Sequence, residues 1–179
     1  MPEGPEVTTI ANSLNKLIKN KTLASIEILK GGKYENKSPD NYLIFKDSLP
    51  LKVLGVFNKG KMMYWKFNNG MYMLNHLNMT GFWSIGISYK HSALVFNFKE
   101  KNMSLYYTDI RRFGRVEFLK DKESLDIVLD KLGPDILKDK EFSLNHFLKI
   151  SEKKSKTNIT KFLMDQSNIS GVGNYLKSV

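Results

Sequence analysis

From Val7 onward the chain repeats apolar residues at the helical period. Val7, Ile10, Ala11, Leu14, Leu17 and Ile18 form one stripe, and Thr8, Asn12, Lys16 and Lys19 take the opposite face. Pro5 suits the first turn, where no amide hydrogen is needed, and Glu6 suits the positive end of the helix dipole. The period then falls towards two. Thr22–Leu29 alternates loosely around Leu23, Ile26 and Ile28, and the stretch from Gly31 to Pro39 is rich in turn residues. Lys52–Asn58, Met62–Phe67, Met71–Leu77, Ala93–Phe98, Met103–Thr108 and Gly114–Leu119 read as short strands. Asn68-Asn69-Gly70 predicts a hairpin because Asn-Gly tolerates positive φ, and the polar turn Lys99–Asn102 predicts another. Short strands joined by tight turns imply a β-sandwich or barrel.

Past Lys120 the helical period returns. Lys122–Leu132 carries Leu125, Val128, Leu129 and Leu132 on one face and meets Gly133-Pro134, a stop signal. Ser143 is placed to cap a short helix with Leu144, Phe147 and Leu148. Thr157 is placed to cap another with Ile159, Phe162, Leu163 and Gln166. The pattern therefore predicts an α+β fold: a β domain over residues 1–119, opened by a helix, and a helical domain over residues 120–179.

Composition narrows the partners. Hydrophobic content of 41% in 179 residues is enough for a core, in one large or two small domains. The net charge of +10 favours an anionic partner, nucleic acid first and a membrane surface second. No apolar run reaches spanning length and no signal peptide is visible, so the expected setting is intracellular with no membrane partner. With no cysteine there is neither a disulfide nor a thiolate metal site, and His76, His91 and His146 are too few to suggest structural zinc.

The chain opens Met1-Pro2-Glu3-Gly4-Pro5-Glu6-Val7. Methionine before proline is normally trimmed, which would leave the Pro2 ring nitrogen as a free secondary amine. An α-amino group has a pKa of about 7.7–8.0, against about 10.4 for lysine, so it is far more often unprotonated at neutral pH. Such an amine attacks an aldehyde carbon to give an iminium, and an adjacent carboxylate, Glu3, suits proton transfer. The plainer reading is an N-cap before a helix. Lys61, in Asn58-Lys59-Gly60-Lys61, can face a phosphate or remain a solvated turn lysine. Met79, in His76-Leu77-Asn78-Met79-Thr80-Gly81, can wedge between bases or sit in a core. Asp109-Ile110-Arg111-Arg112-Phe113-Gly114 sets arginines beside an aromatic: Arg111 can fill the space of a flipped base and Phe113 can wedge a base step, or an arginine can pair with Asp109 at the surface over a core phenylalanine. Gly171-Val172-Gly173-Asn174 lets backbone amides and Asn174 approach a phosphate, although a lone Gly-x-Gly is common.

Taken in order, Pro-Glu-Gly-Pro-Glu-Val, Gly-Lys, His-Leu-Asn-Met-Thr-Gly, Asp-Ile-Arg-Arg-Phe-Gly, Lys-Leu-Gly-Pro and Gly-Val-Gly-Asn resemble the formamidopyrimidine-DNA glycosylase / endonuclease VIII family from Met1 to about Leu176. The resemblance implies a two-sheet antiparallel β-sandwich followed by a partial helix-two-turn-helix domain without a zinc finger. It implies a base-excision repair glycosylase and abasic-site lyase that needs no cofactor and acts as a monomer on double-stranded DNA containing oxidised bases or abasic sites, wherever the cell keeps its DNA. Pro2 then matches the nucleophile at C1′, Glu3 the acid/base, and Lys61 the lysine at the backbone beside the lesion. Glu6 matches a lesion-pocket residue. Met79, Arg111 and Phe113 match the void-filling and wedge residues, Asn174 a phosphate-gripping asparagine, and Lys156 a lesion-side, phosphate-binding lysine.

The family continues beyond Asn174 with more helix-two-turn-helix and then a zinc finger or zinc-less hairpin. Here the sequence ends at Val179, which stands where an acidic residue is expected after Tyr-Leu-Lys-Ser. The resemblance therefore implies a truncated member, with Phe162, Leu163 and Ile169 expected to present uncovered apolar faces. Two readings follow: a working glycosylase/lyase, or a catalytically weak or inactive DNA- or damage-binding protein. A third, a β-barrel RNA-binding module, would use Tyr64, Trp65 and Tyr72 as a stacking face, though these fit a sandwich core.

Overall fold

The computed structural model describes residues 2–140 and 142–178. The apolar stripe forms α1 (Gly4–Ile18), with Val7, Ala11, Leu14 and Ile18 buried in the main core. Eight antiparallel strands follow: β1 (Thr22–Ile28), β2 (Leu51–Lys59), β3 (Met62–Phe67), β4 (Tyr72–His76), β5 (Gly81–Ile85), β6 (Ser92–Phe98), β7 (Ser104–Asp109) and β8 (Arg115–Leu119). Their order is β5-β7-β6-β1-β2-β3-β4-β8. The β1–β2 joint has only two register pairs, Thr22↔Lys52 and Leu23↔Leu51, so the sheet folds there into two leaves. The leaves meet face to face: Trp65 on β3 packs on Trp83 of β5 and Phe96 of β6, with ring centroids 5.1 and 5.5 Å apart. Asn15 on α1 accepts a hydrogen bond from the Val56 amide at 2.9 Å and fixes the helix along β2. The hairpin at residues 68–70 is present, with Gly70 at φ 84°.

The helix α2 (Tyr42–Asp47) has no counterpart in the periodicity reading. It closes one opening of the sandwich by stacking Phe45 on Phe118 at 4.2 Å and setting it edge-on to Phe67 at 4.8 Å. The helix α3 (Lys122–Leu129) is capped by Asp121, whose carboxylate accepts from the Ser124 amide at 2.8 Å. It lays Leu125 over Tyr72 and Leu74 on the outer face of the second leaf, with Tyr64 beside them. Trp65 is thus sandwich core, while Tyr64 and Tyr72 are covered by a helix rather than offered as a stacking platform. α3 ends earlier than Leu132, because the chain leaves it to place the Gly133 amide on the Gln166 carbonyl at 2.8 Å.

Three short helices complete the chain: α4 (Leu144–Glu152), α5 (Ile159–Met164) and α6 (Asn174–Ser178). Ser143 caps α4 through the His146 amide at 3.2 Å. The cap of α5 is Asn158, not Thr157. The Asn158 carboxamide accepts from the Thr160 amide at 2.9 Å, while the Thr157 amide is turned back to the Lys154 carbonyl. Gln166 lies beyond α5, because Asp165 opens a turn by accepting from the Ser167 amide and hydroxyl. The expected uncovered faces are also corrected. Phe162 and Ile169 are each only 2% exposed, since residues 166–173 fold back and bury them with Val172, Phe147 and Leu176.

Candidate functional site

The site is built on the N-terminal end of α1. Glu3 is 3% exposed, and its carboxylate collects three backbone amides: Gly173 at 2.9 Å, Tyr175 at 2.8 Å and Leu176 at 3.1 Å. Burial alone would raise its pKa, but those amides, and the Lys61 charge, outweigh it and hold the carboxyl below the ordinary glutamate value. Glu3 is therefore an ionised carboxylate at neutral pH. Pro2, immediately before it, is half-buried. Glu6 is exposed and accepts from the Glu3 amide at 3.1 Å, which holds the backbone of residue 3 at the start of the helix.

Glycines allow this approach. The Gly4 amide donates to the Gly171 carbonyl at 2.8 Å, and a Cβ on Gly173 would come within 2.3 Å of the Glu3 carboxyl. Gly60, at φ +52°, is equally close to Ser170 and Gly171, where a Cβ would stand 2.7 Å from either. So the chain start, the β2–β3 turn and residues 170–173 stack backbone on backbone.

That stacking positions Lys61, which is 7% exposed beside Glu3. Burial lowers its pKa and Glu3 only partly restores it. The turn is held by Asp135, whose buried carboxylate accepts from the Gly60 amide at 2.8 Å, and by Lys138, which donates to the Asn58 carbonyl at 2.8 Å. Gln166 closes the arrangement, accepting from the Gly171 amide at 3.0 Å and donating to the Val172 carbonyl at 2.8 Å. Asp135 and Lys138 were given no role from the sequence, since hydrogen bonds across 75 or more positions leave no local pattern, and Gln166 was read only as part of a helix.

A second cluster lies on two neighbouring loops. Asp109, fully buried, accepts from the Thr80 hydroxyl and from the Gly114 amide, both at 2.6 Å. Thr80 in turn accepts from the Arg111 amide at 2.9 Å, and Asn78 donates to the Phe113 carbonyl. These bonds lock the loops together and leave Met79 and Phe113 exposed by 42% and 58%, with the Arg111 guanidinium over the Phe113 ring. Asp109→Asn turns an amide donor towards one of two donors. It is expected to cost about 1–3 kcal/mol in urea unfolding, as a buried group left unpaired. An unchanged midpoint would show that Asp109 does not hold the loops.

The remaining sequence candidates stand apart. Asn174 is exposed at the first position of α6, but the neighbouring amides of 173, 175 and 176 already serve Glu3, so the backbone there is not free for a phosphate. Lys156 is exposed in the loop between α4 and α5, in an open cleft of about 550 Å³ with Lys153, Lys154 and Lys161. No hydrogen bond ties it to either cluster among the described residues. His76 was given no role of its own from the sequence. It pairs in register with Met62 and Arg115, and its Nδ1 is buried without a partner. Among the described residues, no group of three or more histidines or carboxylates could hold a metal ion, and no helix is long and apolar enough to cross a membrane.

Residues 1–116 match the family model of the formamidopyrimidine-DNA glycosylase N-terminal domain. The formamidopyrimidine-DNA glycosylase of Ligilactobacillus salivarius is 33% identical over 180 residues, 97% of this chain and 63% of that protein. That of Mycoplasma mobile is 33% identical over 179 residues, with the same coverage. The Lactococcus lactis enzyme bound non-covalently to DNA with an abasic site superposes with a TM-score of 0.79 at 25% identity, covering 96% of this chain and 65% of that one. Its complex with DNA containing an oxidised pyrimidine gives 0.80, at 25% identity and 98% and 65% coverage. The chain thus spans 63% of the length of the curated relatives it matches.

Proposed function

Since the chain belongs to the formamidopyrimidine-DNA glycosylase family, we propose that it is a base-excision repair glycosylase and abasic-site lyase acting on double-stranded DNA with oxidised bases or abasic sites. Residues 1–119 serve as the catalytic domain and residues 120–179 as part of a helix-two-turn-helix domain. The observation that carries this reading is the buried, ionised Glu3 next to Pro2, facing Lys61 and anchored on three amides.

The chemistry follows from that state. The Pro2 nitrogen attacks C1′ of the deoxyribose, and the bond from C1′ to the base breaks with its electron pair leaving on the base. Glu3, ionised at rest, takes the proton that the attacking amine must lose. It then delivers that proton to the ring oxygen as the sugar opens to an iminium. The iminium acidifies the C2′ hydrogen, so its removal expels the 3′ phosphate, and a second elimination expels the 5′ one. Lys61 holds a phosphate beside the lesion, and Glu6 faces the extruded base. Met79, Arg111 and Phe113 occupy the vacated stack, the exposed and locked arrangement expected of wedge residues. Asn174 and Lys156 add phosphate contacts, and the +10 charge adds salt-sensitive affinity.

A second reading is a DNA- or damage-binding protein without catalysis, for which the exposed Met79 and Phe113 loops and the +10 charge would suffice. Borohydride trapping on abasic duplex separates the two, with Met1 removal confirmed by mass. The expected result is a covalent adduct that disappears in Pro2→Gly. Duplex binding without any adduct, from protein with a free Pro2, would leave the binding reading standing.

A further inference from the structure

Arg115 lies where two open clefts meet. One, of about 200 Å³, is lined by Met62, His76, Asn78, Arg115 and Glu117; the other, of about 320 Å³, is lined by Lys33, Lys37, Asp40 and Arg115. The register explains the line-up. Met62, next to Lys61, pairs with His76, and His76 pairs with Arg115 across β3, β4 and the edge strand β8. Two interstrand spacings are about 10 Å, the axial length of roughly three charges on one DNA strand. The groups sense one another in sequence: both Lys61 and Arg115 disfavour a proton on His76, and Arg115 does the same to Lys33.

The cations are largely unspent. Among the described residues Lys33 and Lys37 have no carboxylate within ion-pair distance. Arg115 meets only Glu117, at 3.6 Å with the Arg115 side chain 65% exposed, a pair of little strength in water. The wider cleft holds one carboxylate, Asp40, against three cations. Lys33 also donates to the Gly114 carbonyl, and Arg112 donates to the Gly31 carbonyl at 3.0 Å, so this patch is tied to the loop that carries Phe113.

We propose that Arg115, Lys33 and Lys37 form a second DNA-backbone site, continuous with Lys61 and His76, that grips phosphates of the duplex beyond the lesion and sets its path against the Phe113 loop. This rests on the DNA reading above and extends it to the outer edge of the sandwich.

The test is the salt dependence of binding to a duplex with a stable abasic analogue, for the full chain and two double variants. Arg115→Gln with Lys37→Gln removes two exposed cations and spares Lys33, whose bond to Gly114 is structural. Lys99→Gln with Lys101→Gln removes the same charge beside the 3₁₀ turn that docks on Thr22, at the far end of α1 from Glu3. Each lost phosphate contact should lower the slope of log K against log salt by about 0.9. The first pair is therefore expected to flatten the slope by about 2 and weaken binding at least tenfold at moderate salt. The second should change either by less than a third as much, with melting temperatures alike. Equal effects from both pairs would reduce the patch to net charge and overturn the proposal, as would no effect from the first. A parent chain that binds the duplex with the full slope but never traps would fail as a lyase while the site stands. A parent that does not bind duplex would end both.

Discussion

Glu3→Gln is expected to slow strand cleavage at an abasic site a hundredfold or more and to loosen residues 173–176 at the same time. Positioned proton transfer contributes roughly 10²–10⁴ in rate, and the glutamine cannot accept the proton that the amine sheds. The carboxylate oxygens also hold three amides, and a carboxamide turns a donor at one of those positions. One buried amide facing another donor costs about 1–3 kcal/mol. The pH dependence has a definite sign. Because the folded-state pKa of Glu3 is depressed, its contribution to stability is present above the unfolded value and is lost as pH falls through the folded one. The stability gap between parent and variant should thus be widest at neutral pH and close in acid. Single-turnover cleavage and hydrogen exchange at 173, 175 and 176 read both effects. Parent-like cleavage by Glu3→Gln would remove this carboxylate from the chemistry.

Lys61→Met should dissociate activity from stability. A methionine occupies a similar volume without the charge, and the backbone phosphate loses its partner, so cleavage is expected to fall about 100-fold, as for removal of one electrostatic stabiliser. Stability should hold or rise by about 1 kcal/mol. The reason is that the folded-state pKa of Lys61 is lowered even with Glu3 nearby, so its charged form is disfavoured by folding. Between the folded and unfolded pKa values the unfolded chain binds more protons, and parent stability climbs with pH. The advantage of Lys61→Met should therefore shrink as alkaline pH is approached. Urea midpoints at neutral and alkaline pH test this. A large loss of stability at neutral pH would mean that Lys61 is held there by favourable pairing.

Much of the frame is legible where local pattern and tertiary need coincide. α1 is a single stripe, Gly70 supplies the left-handed turn of a hairpin, and Ser143 caps α4 as read. α2 escapes because its six residues bury only Tyr42 and Phe45 while Leu43 and Ile44 stay exposed, so no period can emerge. β5 escapes because it starts directly after the Met79 loop and ends on an exposed Ile85. At the site, Pro2, Glu3 and Lys61 stand out through chemistry and motif. What holds them does not. Asp135 and the amides around Gly173 act through long-range bonds that depend on topology rather than on side-chain rhythm, and Gln166 acts locally on a turn that only the fold brings to Glu3. The covered faces of Phe162 and Ile169 show the same limit, since their cover is the return path of residues 166–173.

The bond from the Tyr175 amide to Glu3 closes a loop of 172 positions. During synthesis Glu3 leaves the ribosome among the first residues, yet its carboxylate has no seat until residues 173–176 follow. At ordinary elongation rates that wait is on the order of ten to thirty seconds. Throughout it the sandwich can collect its strands, but Glu3 lacks the amides that hold it. A nascent chain would thus carry the Met79 and Phe113 loops and much of the basic surface with the Glu3 carboxylate still unseated. It is the arrival of residues 173–176 that seats the Glu3 carboxylate.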